Sequence, residues 1–183
     1  MKFIKLALNG AFVIEAAPVK DKRGHFSRLL CKNELINIGH TENIVQVNHS
    51  ATEQTGVVRG LHFQMPPKAE IKIVKCIKGA VFDVIVDIRR NSPTFLNWHG
   101  EVLTGENIKM MYVPKGFAHG FQTLKPGSEL LYFHTAFYSP EHEGALRYND
   151  PQLSIDWPLS VSDISERDFS HPLVDATFKG LDI

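Results

Sequence analysis

The chain has 183 residues, and its 20 basic and 20 acidic side chains give a formal net charge of zero. This balance leaves no excess positive charge for binding nucleic acid or an anionic membrane, so we expect neither as a partner. The length suits one domain with its own core, and we expect residues 1–183 to form it. Cys31 and Cys76 are the only cysteines. So few, without Cys-x-x-Cys spacing, fit a reducing compartment, and we expect a cytoplasmic protein.

Short β-type segments recur along the chain, separated by Gly, Pro, Asn and Asp. The clearest pair lies in residues 70–90, where two β-branched runs flank Lys78-Gly79 and predict a hairpin. Helix signals are confined to residues 32–39 and to part of 159–169, the latter capped by Ser162 or Ser165. The other predicted strands cover residues 3–8, 10–19, 25–30, 43–50, 110–124 and 128–140.

This pattern predicts an all-β sandwich or barrel. In residues 43–50, Gln46 and Asn48 alternate with Val45 and Val47, which places the two polar side chains on one strand face. Polar residues on both faces of strands favour a barrel that holds a ligand.

Two segments resemble the motifs of cupin barrels. Residues 114–119 have the pattern Pro-x-Gly-x-x-His, which resembles the second cupin motif and ends at His119. The first motif normally supplies His-x-His to a metal, but here His62 is followed by Gln64, a poor metal ligand. Lys72 follows the nearest downstream acid, Glu70, and its positive charge opposes a cation. A metal site is therefore not expected.

Longer stretches of the chain resemble the dTDP-4-dehydrorhamnose 3,5-epimerases, nucleotide-sugar enzymes of the cupin superfamily. The resemblance implies a cupin-type jelly-roll barrel with a few short helices, working as a homodimer without metal or cofactor. It implies epimerisation at carbon 3, or at carbons 3 and 5, of a nucleoside-diphosphate 4-keto-6-deoxyhexose for deoxysugar or surface-polysaccharide biosynthesis. The matching stretches are residues 21–28, 46–50, 57–67, 72–95, 112–124, 131–158 and 164–168.

The resemblance also implies roles for individual residues. His62 matches the base that removes a proton beside the ketone, and Asp168 matches the acid that orients its imidazole. Tyr132 matches the proton donor on the opposite face, and Lys72 matches the cation that stabilises the enolate. The expected substrate-binding residues are Arg59 and His119 at the pyrophosphate, and Arg23, Phe26, Arg28, Gln46, Asn48, Tyr138 and Glu143 around the nucleotide and sugar.

Several positions depart from the family pattern. Arg28 stands where an acid is usual near the nucleotide, residues 69–72 replace a commoner Gln-Gly-Lys or Gln-Ala-Lys, and His134 is unusual beside Tyr132. The nucleotide base, thymidine or cytidine for example, and the number of carbons inverted therefore stay open. A 3,4-ketoisomerase on the same barrel and a non-catalytic sugar-binding cupin are the alternative functions.

Some polar residues have structural explanations. His49, His99 and His171 are expected to be ordinary hydrogen-bonded histidines. Asp83 is expected to support the barrel interior, and Asp87 is expected to form a surface pair with the arginines at positions 89 and 90.

Overall fold

The structure is a computed structural model that describes residues 1–183. Besides short 3-10 turns at Ile36–Ile38 and Pro140–His142, it contains two short helices, α1 (Lys32–Leu35) and α2 (Glu166–Ser170). The strands are β1 (Lys2–Lys5), β2 (Phe12–Glu15), β3 (Val19–Asp21), β4 (Gly24–Phe26), β5 (Gln46–Thr52), β6 (Val57–Gln64), β7 (Lys72–Lys78), β8 (Ala80–Asp87), β9 (Trp98–Thr104), β10 (Lys109–Val113), β11 (Phe117–Thr123), β12 (Ser128–His134), β13 (Glu143–Ala145) and β14 (Asp163–Ile164).

Two antiparallel sheets carry the fold. The first has the order β1-β2-β10-β7-β12-β5, and the second has the order β13-β6-β11-β8-β9, with β14 added in parallel beside β6. The hairpin β3–β4 forms a separate two-stranded sheet. From β5 to β13 the chain passes repeatedly between the two sheets, with β8 and β9 as the one consecutive pair within a single sheet. The predicted all-β cupin-type jelly-roll barrel with few helices is confirmed.

The predicted hairpin over residues 70–90 is wrong. β7 lies between β10 and β12 in the first sheet, whereas β8 lies between β11 and β9 in the second. Gly79 does make the turn, with a φ of 73°, but the turn is a corner at which the chain passes between sheets. Two β-branched runs joined by a glycine turn specify two strands, and they do not specify which strands pair.

The core has three layers because both sheets are covered on their outer faces. Between the sheets, Val74, Ile85 and Met111 belong to a cluster of 13 buried residues. The C-terminal segment brings Leu153 and Val174 onto the outer face of the second sheet. Burial on both faces explains why β8 is almost continuously apolar rather than alternating.

The predicted helices are confirmed, and Ser165 caps the second by accepting a hydrogen bond from the Asp168 backbone N–H at 3.1 Å. The expected pair of Asp87 with Arg89 forms, at 2.7 Å, but the expected surface location is wrong, and Arg90 pairs with Asp182 instead. Asp87 is fully buried and accepts hydrogen bonds from Arg89, Ser92 and Thr94, so it organises a loop. None of the helices has the length and apolar character needed to cross a membrane.

Candidate active site

A cavity of about 310 Å³ is lined by residues from both sheets. On the first sheet, strand register groups the polar side chains. His134 lies opposite both Lys72 and Gln46, and two residues earlier Tyr132 lies opposite Asn48. Residues two apart on a strand face the same side, so this register gathers these side chains on one cavity wall. The predicted residues that line the cavity are Gln46, Asn48, Arg59, His62, Lys72, His119, Tyr132, Tyr138 and Glu143.

A local irregularity in β6 allows Arg59 and His62 to line the same cavity. Residues three apart on a regular strand face opposite sides, but the pairing of β6 with β11 shifts register between His119 and Phe121. Gly60 adopts a φ of 130° at this point, and a Cβ there would stand 2.5 Å from the Cα of Gly120. Only glycine fits both the dihedral angle and the close strand approach.

The His62 imidazole is held by Asp168 at the start of α2. His62 Nε2 lies 2.8 Å from Asp168 Oδ1, and Asp168 Oδ2 accepts the Gly60 backbone N–H at 3.2 Å. Burial favours a higher pKa for Asp168, but the hydrogen bond and charge of His62, with the Gly60 N–H, outweigh it and lower the pKa to about 2. The ionised Asp168 carboxylate accepts a hydrogen bond from the Nε2–H group of His62. Nδ1 is then the ring nitrogen that is able to take a proton.

Tyr132 lines the cavity from the first sheet, opposite the strand that carries His62. Its hydroxyl lies 2.9 Å from Ser50 Oγ, and its ring lies between the rings of His119 and His134, with centroids 6.2 Å from each. Burial raises the pKa of the hydroxyl above its usual value. Tyr132 therefore stays protonated at neutral pH and is able to donate a proton.

Lys72 places an ammonium group beside His62. Its Nζ lies 3.4 Å from the His62 carbonyl oxygen and 3.3 Å from Glu70 Oε1. The side chain is 12% exposed, so its charge acts within a cavity wall of lower dielectric than water.

Arg59 and His119 line the same cavity. Arg59 has neither an ion-pair nor a hydrogen-bond partner within the chain, so its guanidinium is available to a ligand. His119 Nε2 lies 2.8 Å from Asp83 Oδ2, and complete burial raises the pKa of Asp83. Asp83 thus supports His119 inside the barrel, as expected from the sequence.

The cavity mouth is built from linked polar side chains. Gln46 donates to Asn48 at 3.1 Å and accepts the backbone N–H of Tyr138 at 3.1 Å. The Tyr138 hydroxyl donates to Glu143 at 3.0 Å, and Arg167 also donates to Glu143, at 3.1 Å. These contacts order the mouth before any ligand binds.

Comparison with known proteins identifies the family of this chain. A family profile described as dTDP-4-dehydrorhamnose 3,5-epimerase matches residues 5–176. The chain belongs to that family. A dTDP-4-dehydrorhamnose 3,5-epimerase from Salmonella typhimurium is 42% identical over 177 residues, which cover 96% of this chain and 96% of the relative.

Solved structures support the same assignment to the epimerase family. The enzyme from Bacillus anthracis, with TDP and PPi bound, has a TM-score of 0.92 and 40% identity, covering 94% of this chain and 99% of that one. A 3'-monoepimerase from Streptomyces bikiniensis, in complex with dTDP-quinovose, has a TM-score of 0.84 and 30% identity, covering 93% and 86%. The family fold therefore occurs both in proteins named as 3,5-epimerases and in a protein named as a 3'-monoepimerase.

Besides Asp168, which reaches the cavity only through His62, three predicted substrate-binding residues lie outside the cavity. Arg23 and Phe26 stand on the hairpin β3–β4, where Arg23 pairs with Asp21 and the Phe26 side chain is exposed. Arg28 pairs with Glu34 of α1 at 3.1 Å, and its place in a nucleotide site stays a prediction.

The structure adds cavity residues that the sequence did not single out as binding residues. They are His49, Ser50, Phe63, Gln64, Glu70, Phe121 and His134. Ser50 was accessible to sequence reasoning, because it continues the Gln46 and Asn48 face of β5. Glu70 could be recognised only from the structure, in which its carboxylate pairs with His134. No group of three or more His, Cys, Asp and Glu side chains is arranged to hold a metal ion.

Proposed function

We propose that this chain is an isomerase that epimerises carbon 3, or carbons 3 and 5, of a nucleoside-diphosphate 4-keto-6-deoxyhexose. The observation that carries the proposal is the placement of His62 and Tyr132 on opposite sheets around one cavity, with Lys72 between a strand carbonyl and a carboxylate. A base and a proton donor on opposite faces of a sugar are what inversion of a carbon requires.

His62 removes the proton beside the ketone through Nδ1. Asp168 keeps the opposite ring nitrogen protonated and stabilises the imidazolium that forms. The electron pair moves onto the ketone oxygen as an enolate, where the Lys72 ammonium stabilises the negative charge. Tyr132 then delivers its hydroxyl proton to the opposite face, which completes the inversion, and Ser50 is the neighbouring hydroxyl that supports the tyrosine.

The nucleotide diphosphate binds through Arg59 and His119. Arg59 offers a planar fork of donors that suits phosphate oxygens, and it has no competing partner in the chain. Gln46, Asn48, Tyr138 and Glu143 line the remaining cavity wall and mouth toward the sugar and nucleoside. Thymidine is the proposed base, because the relative from Bacillus anthracis was solved with TDP and PPi.

The proposed assembly is a homodimer in which the hairpin β3–β4 reaches the partner's nucleotide site through Arg23 and Phe26. Its support is the separation of this hairpin from both sheets and its exposed Phe26, which is 76% accessible. The edge strand β5 carries an exposed apolar residue, Val47, and the exposed Val45 directly precedes the strand. Each chain acts as one domain, since both sheets line the same cavity, and the unpaired cysteines fit a cytoplasmic enzyme of surface-polysaccharide biosynthesis.

The test is incubation of the protein with 4-keto-6-deoxyglucose linked to dTDP or to CDP in deuterated water, followed by proton NMR. Deuterium at carbon 3 with inversion supports the proposal, and additional deuterium at carbon 5 identifies a 3,5-epimerase. A 3-keto product identifies a ketoisomerase instead, and binding without any exchange identifies a sugar-binding cupin.

A further inference from the structure

A third acid–histidine pair lies at the cavity, beside Lys72. Glu70 Oε2 lies 2.8 Å from His134 Nδ1, and Glu70 Oε1 lies 3.3 Å from Lys72 Nζ. The Glu70 side chain is 8% exposed and the His134 side chain 11%. This buried carboxylate therefore connects the cavity ammonium to an imidazole, and neither Glu70 nor His134 has a role in the chemistry proposed above.

Glu70 is ionised in this arrangement. Burial favours a higher pKa, but the hydrogen bond from His134 and the charge of Lys72 outweigh it and lower the pKa of Glu70. Nδ1 of His134 faces the Glu70 carboxylate, and the other ring nitrogen, Nε2, is buried without a partner. An apolar ring would avoid an unsatisfied buried nitrogen, so packing alone does not explain a histidine here.

We propose that Glu70 and His134 are positioning residues of this active site, in which His134 fixes the Glu70 carboxylate and Glu70 holds the Lys72 ammonium at the cavity wall beside His62. The inference rests on the proposed function, in which Lys72 stabilises the enolate.

The physical reason is the flexibility of lysine. A lysine side chain has four rotatable bonds, and apart from Glu70 the ammonium has one contact, the His62 carbonyl at 3.4 Å. Stabilisation of a developing oxyanion depends on donors that are already in place when charge appears. His134 also stacks against Tyr132 at an interplanar angle of 26°, so one ring contacts both the Lys72 support and the proton donor.

Two substitutions at His134 separate these contacts. His134→Phe keeps a ring against Tyr132 and loses the donor to Glu70, whereas His134→Asn keeps a donor near the position of Nδ1 and loses the ring. Glu70→Gln preserves volume and removes the charge that holds Lys72.

A matched control exists on the solvent side of the first sheet, where Glu129 lies between His49 and Lys78 at 3.1 and 2.9 Å. Glu129→Gln removes a carboxylate that likewise pairs with a histidine and a lysine, but Glu129 itself does not line the cavity.

Steady-state kinetics on the folded variants, checked by circular dichroism, test the proposal. We expect Glu70→Gln and His134→Phe each to lower kcat about tenfold with KM within about twofold, because the lost interaction matters when enolate charge develops. The double variant is expected to be no slower than Glu70→Gln alone, since both act through Lys72. His134→Asn is expected to retain kcat within about threefold of the wild type, and Glu129→Gln to match the wild type.

A wild-type kcat in Glu70→Gln would overturn the inference, as would losses that multiply in the double variant or fall on KM alone. Failure of the proposed function is a separate result, because in that case the wild-type protein itself would not exchange or invert the sugar proton.

Discussion

Asp168 Oδ1 lies 2.8 Å from His62 Nε2, while its second oxygen binds the backbone of the same strand at Gly60. The carboxylate thus fixes both the ring and the strand that carries it. Asp168→Asn keeps the shape and removes the charge, and we expect kcat to fall about 10²- to 10⁴-fold because the imidazole loses its tautomer control and its counter-charge. Kinetics with the dTDP-linked substrate measure this loss, and a fall of less than threefold would contradict the assigned role.

The same carboxylate predicts a pH dependence of stability. Its pKa in the folded protein is about 2, below the ordinary value of 3.8, so the folded state is favoured when Asp168 is ionised. The contribution of about 2 kcal/mol is fully present above about pH 5 and is lost as the pH falls from about 4 through 2. Urea unfolding is expected to show a difference in the free energy of unfolding between wild type and Asp168→Asn, and this difference narrows as the pH falls from about 4 to 2. A difference independent of pH would contradict the folded-state ion pair.

Tyr132→Phe separates proton removal from inversion. His62 remains able to remove the carbon 3 proton and return a deuteron to the same face, but the opposite face has no donor. We expect deuterium incorporation at carbon 3 to continue while inversion falls at least about 10²-fold, as for loss of a general acid. Proton NMR in deuterated water reads both events in one sample, and inversion at the wild-type rate would remove Tyr132 from the proposed chemistry.

Arg59 is expected to act on phosphate rather than on the nucleoside. Arg59→Met removes a charged donor and should weaken dTDP binding by about tenfold or more, with thymidine binding unchanged. Isothermal titration calorimetry with the two ligands measures the contrast. Arg90→Met is a control, because Arg90 pairs with Asp182 outside the cavity. Equal losses for dTDP and thymidine would argue against a phosphate contact.

The proposed dimer predicts complementation between two defective chains. The variant Arg23→Ala with Phe26→Ala retains His62 but supplies no hairpin contacts, whereas His62→Asn supplies the hairpin and lacks the base. Mixed dimers formed by unfolding and refolding an equal mixture would contain one complete site. We expect about a quarter of wild-type activity to return, because half of the dimers are mixed and each has one working site of two. No recovery from mixed dimers would contradict a shared site.

The sequence predicted which residues meet in the cavity better than it predicted how strands pair. Nine predicted binding or catalytic residues line the cavity because the resemblance to the epimerase family supplied them, and alternation in β5 independently placed Gln46 and Asn48 on one strand face. The partner of β7 could not be predicted, since its apolar residues suit any neighbour and pairing depends on the closure of both sheets.

Arg28 and Asp87 illustrate the same limit for charged residues. The ion pair of Arg28 with Glu34 of α1, at 3.1 Å, could not be predicted from the sequence, and the expected role of Arg28 at the nucleotide stays a prediction. Asp87 is followed by two arginines, a charge pattern typical of a protein surface. The loop after β8 nevertheless folds back over Asp87 and buries it completely. Which partner a charge finds depends on contacts between segments, and local sequence does not contain them.

The most direct test of the account compares wild type and His62→Asn in deuterated water with dTDP-4-keto-6-deoxyglucose, with a chelator present in a parallel sample. We expect the wild type to place deuterium at carbon 3 with or without chelator, and His62→Asn to lose incorporation by about 10²- to 10⁴-fold while remaining folded. Undiminished exchange in His62→Asn would contradict the assignment of the base, and loss of wild-type exchange on chelation would contradict the role given to Lys72.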